Sequence, residues 1–132
     1  MKMPGDIIML QEVAAAKATI SKWQRDMREA GWDLLANPGK TKIRGNGVGS
    51  MVRSPIIQVP IRANTEEFRK RREKGRCEVI AVEIGGNMLR LANVYGQTGG
   101  HQDEEASMVT DHIIGSIMEE LETQPGTPTI II

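Results

Sequence analysis

A mixed α/β domain, with helices flanking sheets, is the fold class this sequence predicts. Three observations carry it. Short apolar, β-branched runs bounded by Gly, Pro and Asn recur along the chain. Two longer segments show helical periodicity instead. The resulting order is strand, helix, several strands including a hairpin, helix, strand, an alternation that calls for layered helices and sheets. At 132 residues with 39% hydrophobic content, the chain suits one domain of modest size.

Asp6-Ile7-Ile8-Met9-Leu10-Gln11 reads as a short buried strand after Pro4-Gly5. A helix follows, with Ala16, Ile20, Trp23, Met27 and Ala30 on one face and Gly31 where a terminating glycine belongs. Trp32-Asp33-Leu34-Leu35-Ala36 is a strand stopped by Asn37-Pro38-Gly39. The run Gly45-Asn46-Gly47-Val48-Gly49-Ser50-Met51-Val52 opens as a glycine turn and becomes a strand. Ile56-Ile57-Gln58-Val59 is another, bracketed by Pro55 and Pro60. Glu78–Ile84 and Met88–Tyr95, joined through Gly85-Gly86-Asn87, have the form of a β-hairpin. A second helix runs from about Asp103, its candidate N-cap, to Glu122, with Val109, Ile113, Ile117 and Leu121 as its apolar stripe and Pro125-Gly126 beyond it. The chain then closes on Thr129-Ile130-Ile131-Ile132, a buried-strand pattern expected either of a domain cut short or of a C-terminal strand docked in the middle of a sheet.

Composition removes several function classes. No apolar run approaches the ~20 residues of a membrane-spanning helix, and Asp6 comes too early for an export signal. Cys77 stands alone, so it has no internal disulfide partner and cannot build a cysteine-rich zinc site, and a reducing intracellular compartment, nuclear or cytoplasmic, is expected. Few aromatics argue against recognition by base stacking. The zero formal charge conceals an asymmetry: all 17 basic residues lie at or before Arg90, against seven acids and no Lys or Arg after it. A basic face that meets an anion is one reading, and differently charged solvated surfaces are the other.

Motifs narrow the field further. Gly39-Lys40-Thr41 has the tail of a phosphate loop, but Leu34 stands where its first glycine belongs. The Gly45–Ser50 run fails as a dinucleotide fingerprint because Ser50 replaces the third glycine and a strand follows. His101 and His112 have no partners at metal-ligand spacing. Arg69, Lys70, Arg71, Arg72, Lys74 and Arg76 form a dense basic run that fits either phosphate contacts or a solvated loop or helix end. Glu12, at the end of the first strand, occupies a position where α/β sheets place ligands and metals, though a surface acid fits there too.

Leu10-Gln11-Glu12 after Asp6-Ile7-Ile8, Gly47-Val48-Gly49 opening a strand, Asn93-Val94-Tyr95 ending one, and Thr129-Ile130-Ile131-Ile132 after a helix fall in a telling order. From Asp6 to Ile132 the chain resembles the N-terminal half of the endonuclease/exonuclease/phosphatase superfamily, nearest to its apurinic-endonuclease-like branch and the endonucleases of non-LTR retrotransposons. The resemblance implies a truncated four-layer α/β/β/α sandwich over residues 1–132. It further implies phosphodiester or phosphomonoester hydrolysis with Mg²⁺ or Mn²⁺ in the complete domain, acting on DNA or another phosphate ester. It maps a metal-ligating, catalytic carboxylate onto Glu12 and a phosphate-holding catalytic tyrosine onto Tyr95, and leaves Gly47 and Gly49 structural. Family motifs beyond these, an early Asn strand, Gly-Asp-Phe-Asn and a late Asp-His pair, are absent, so the expectation is a chain inactive by itself. A phosphomonoesterase, a noncatalytic nucleic-acid-binding module and a degenerate fragment remain the alternatives.

Overall fold

In the computed structural model, which describes residues 6–13, 15–39, 47–96, 104–124 and 126–131, apolar runs become strands in the expected places. The order is β1 (Ile7–Gln11), α1 (Lys17–Glu29), β2 (Trp32–Asn37), β3 (Val48–Arg53), β4 (Ile57–Pro60), α2 (Glu66–Glu73), β5 (Cys77–Ile84), β6 (Asn87–Val94), α3 (Glu104–Glu122) and β7 (Thr129–Ile131). One antiparallel sheet has the order β1-β3-β2; the other runs β4-β5-β6-β7, with β7 parallel to β6. Gly85 and Gly86, both at positive φ, make the two-residue turn of the β5–β6 hairpin, whose register begins at Ile84 opposite Asn87.

Side-chain alternation along the strands builds the layers. Trp32, Leu34 and Met51 face Met27 of α1, while Ile7, Met9, Leu35 and Val52 face the other way to meet Ile80, Val82 and Leu91 of the second sheet. On the far side of that sheet, Val79 and Ala92 pack onto Phe68 of α2 and Ile113 and Ile117 of α3. Three apolar interfaces separate four layers: helix, sheet, sheet and helices. Burial on both faces is why several strands read as continuous apolar runs rather than alternating ones.

Four features depart from the sequence expectation. Helix α2 itself was not expected; the basic run, read as phosphate contacts or a solvated loop or helix end, supplies its C-terminal half and the turn after it, and the Thr65 hydroxyl caps the helix start by accepting from the Phe68 N–H at 3.3 Å. In α1 the buried residue is Ile20, whereas Trp23 is 42% exposed; Gln24 turns inward instead and donates to the Leu34 carbonyl at 3.0 Å. Glu120, which is not part of the apolar stripe read for α3, is fully buried. It accepts the backbone N–H groups of Asn64 and Thr65, tying α3 to the start of α2. Arg90, counted among the cations of a basic face, is buried as well. It donates to the carbonyls of Gln124 and Thr127 and to Thr129 Oγ1, fixing the turn into β7. Pro4, Gly5, Lys40, Thr41, Gly45, Asn46, His101, Asp103, Pro125 and Ile132 lie outside the described residues.

Candidate active site at the ends of β1 and β6

β1 and β6 belong to different sheets, and three consecutive residues at the end of β6 reach across to β1. The Asn93 side-chain amide donates to the carbonyls of Leu10 and Gly49, each at 3.0 Å. The Val94 carbonyl accepts from Gln11 Nε2 at 2.7 Å. Just beyond the strand, the Tyr95 hydroxyl donates to Glu12 Oε1 at 2.7 Å. Leu10-Gln11-Glu12 and Asn93-Val94-Tyr95 thus engage residue by residue. The sequence marks these two words separately; the structure brings them together.

Glu12 is exposed and holds φ at +59°, a left-handed conformation unusual outside glycine. The turn brings Val13 back, so that its N–H donates to the Gly47 carbonyl at 3.2 Å, and Gly47 N–H donates in turn to the Gly75 carbonyl at 3.0 Å. A Cβ on Gly47 would lie 2.8 Å from the Val13 carbonyl carbon and closer still to its oxygen, and one on Gly75 would lie 2.9 Å from Gly47 N. Only glycine permits these backbones to meet. Gly47 is therefore structural, as is Gly49, whose Cβ would press on the Leu35 carbonyl at 3.0 Å.

Arg76 completes the surroundings. Its guanidinium lies over the Tyr95 ring, 5.2 Å from the centroid, and its carbonyl accepts the Tyr95 N–H at 2.8 Å. The rest of the basic run is dispersed. Arg72 pairs with Glu78 at 3.1 Å, Lys70 pairs with Glu66 and Glu67 on its own helix, and Arg69 donates to the Ala63 carbonyl. Lys74 caps the helix and is exposed, while Arg71 Nε is buried without a partner among the described residues. Burial pushes the Glu78 carboxyl above its usual range, which Arg72 opposes. It also lifts the Cys77 thiol to about 12, making it an inert core residue. His112 is exposed on α3.

No family model matches this sequence, and no curated protein does. Solved structures do. An AP endonuclease from Archaeoglobus fulgidus superposes with a TM-score of 0.55 at 17% identity, over 92% of this chain and 42% of its own. D. rerio TDP2 complexed with a single-strand DNA product gives 0.55 at 16%, over 96% and 46%. ANGEL2, a 2′,3′-cyclic phosphatase, in complex with adenosine-2′,3′-vanadate gives 0.55 at 11%, over 89% and 34%. The chain has the endonuclease/exonuclease/phosphatase fold. It spans less than half the length of each of these proteins. Among the described residues of this endonuclease/exonuclease/phosphatase-fold chain, no group of three or more His, Cys, Asp or Glu side chains is placed to hold a metal ion. No helix among them is long and apolar enough to cross a membrane.

The donor set at the strand ends fits one part of a divalent-cation site. Mg²⁺ is commonly held by one or two carboxylates, with water and substrate phosphate completing the octahedron. Glu12 would supply one carboxylate, which is exposed at the strand end and accepts the Tyr95 hydroxyl through Oε1.

Proposed function

We propose that this chain is part of a metal-dependent phosphodiesterase domain acting on nucleic acid. The Tyr95 hydroxyl held on the Glu12 carboxylate, at the joined ends of two sheets, is the observation that carries the reading. A divalent cation bound at Glu12 would supply Lewis-acid charge to a phosphoryl oxygen. Glu12 provides an anionic ligand, and Tyr95 orients it. The phenol has a single proton, which serves one acceptor at a time. That proton holds the carboxylate here, and a phosphate oxygen entering beside it is the alternative acceptor, so one tyrosine serves both ligand and substrate. TDP2 with its DNA product and the AP endonuclease support a nucleic-acid substrate. The cyclic phosphatase ANGEL2 supports the second reading, a phosphate ester other than a nucleic-acid strand. One carboxylate and one phenol do not by themselves activate water and stabilise a leaving oxygen, so the chain alone is proposed to be inactive.

Mn²⁺ binding followed by electron paramagnetic resonance, with a short oligonucleotide present, tests the metal role. The free-ion signal should fall with the parent chain and persist with Glu12→Ala. Equal binding by the two proteins would remove the reading. Plasmid incubated with Mg²⁺ should stay intact; cleavage that disappears in Glu12→Ala would show the chain sufficient for catalysis. DNA contact by the basic run is best probed at exposed Arg69 and Lys74, because substitution of Arg72 also breaks its pair with Glu78. Weaker binding with a shallower salt dependence is expected when both become Ala.

A further inference from the structure

We propose that Arg76 is a positioning residue for Tyr95, a role separate from that of its basic neighbours. This role deepens the reading of Glu12 and Tyr95 as a phosphate-ester site and rests on it. Cys77 pairs with Val94 in the β5–β6 ladder, so Arg76 and Tyr95 are the next cross-strand neighbours, just past the ends of both strands. The Tyr95 N–H to Arg76 carbonyl bond continues that ladder by one rung. Directly opposed side chains on one face of an antiparallel pair have Cβ atoms roughly 4.5–5.5 Å apart. Register therefore delivers the guanidinium to the ring, and the contact is built into the sheet.

Arg76 also differs from the other cations of the run in what its charge meets. Arg72 is neutralised by Glu78 and Lys70 by Glu66 and Glu67, whereas among the described residues no carboxylate pairs with Arg76. Half-buried beside Cys77, it lies on the one ring whose hydroxyl holds Glu12. Tyr95 sits past the last ladder pair, and the backbone bond to Arg76 fixes only its main chain. The guanidinium acts on the side chain: it covers one ring face and limits rotation about the side-chain bonds. With that face covered, the hydroxyl stays within reach of Oε1.

Tyr95 is the only tyrosine in the chain, so its ring can be read without ambiguity. In protein carrying ¹³C-labelled tyrosine, the ring cross-peaks of the parent should shift when Glu12 becomes Gln, reporting the hydroxyl contact. In an Arg76→Ala background the ring signals should move toward solvent-averaged positions, and the response to Glu12→Gln should be lost. Arg76→Lys, which keeps a cation over the ring and the same backbone bond, should restore most of the response, and Arg69→Ala should leave it intact. The indole signal of buried Trp32 reports whether each variant is folded. A folded Arg76→Ala variant whose ring shift and Glu12 response match the parent overturns the proposal. If Arg76→Ala is unfolded, Arg76→Lys decides: a folded Lys variant with no response also overturns it. Mn²⁺ added to the labelled parent tests the site reading separately. Absence of ring broadening removes the metal role of Glu12 while leaving the Arg76 result standing.

Discussion

Glu12 holds a backbone angle that an L-residue other than glycine enters at a cost of roughly 1–2 kcal/mol. Glu12→Gly should therefore stabilise the fold by about 1 kcal/mol while abolishing Mn²⁺ binding, a pairing measurable by urea denaturation beside metal titration. Gly47 is the opposite case. Its φ of +118°, together with the Val13 carbonyl lying where a Cβ would project, leaves no room for a methyl group. Gly47→Ala should cost more than ~1 kcal/mol and displace the Glu12–Val13 turn, seen as a lower urea midpoint. Cys77 gives a third residue-scale prediction. With its pKa near 12 and no exposure, it should not react with a disulfide reagent at pH 8 until the chain is unfolded.

Among the elements, α2 shows where sequence reasoning lost the signal. Phe68 is the one apolar side chain among its eight residues, so no hydrophobic period exists to be read. The usable marks were local: Thr65 as cap, Glu66 and Glu67 in the first turn, and Lys70, Arg71 and Arg72 in the last, an order that suits the helix dipole. Glu120 went unread, because an acid three residues after Ile117 and beside Leu121 does not register as part of an apolar stripe although it is buried with it. The strands were easier because continuous apolar runs between Gly and Pro leave little choice. Asn93 was seen only as part of a word; that its amide joins β6 to both β1 and β3 depends on sheet stacking, which a single sequence does not encode locally. Asn93→Ala leaves two strand carbonyls without these donors and should cost about 1–3 kcal/mol, measured by chemical denaturation. Asn93 also borders a cavity of about 130 Å³ between the sheets, lined in part by Met9, Leu35, Ile80 and Leu91. Glu78, on the same cavity wall, links β5 to α2 through Arg72. A carboxyl raised in the folded state favours folding most when protonated, and that stabilisation is lost as pH rises through the folded value. Glu78→Gln should therefore weaken the fall in urea midpoint as pH rises above about 4.5, relative to the parent.

At the scale of the molecule, four layers follow from strict alternation in strands buried on both faces, and the sequence anticipated the layers through family resemblance rather than through periodicity. The second sheet leaves β4 and β7 as outer strands, with Ile57 and Val59 each 56% exposed on one and Ile130 51% exposed on the other. Open apolar edges pair with other chains. Concentration-dependent association is expected by analytical ultracentrifugation and should diminish in Ile130→Lys; a parent chain that stays monomeric at high concentration would contradict this.

Each of the three bridges between β1 and β6 joins residues 83 positions apart. The pair Glu12–Tyr95 therefore cannot form in any short segment, and its closure waits for both sheets to stack. Loop closure over such a distance comes late in folding, once nearer contacts have restricted the chain. The lone tyrosine is thus an internal gauge of assembly: a substitution in a remote layer that loosens the stack will silence the site as surely as removing the carboxylate. Loss of Mn²⁺ binding in a distant variant bears on Glu12 itself only after the Tyr95 signal has shown the two strand ends still joined.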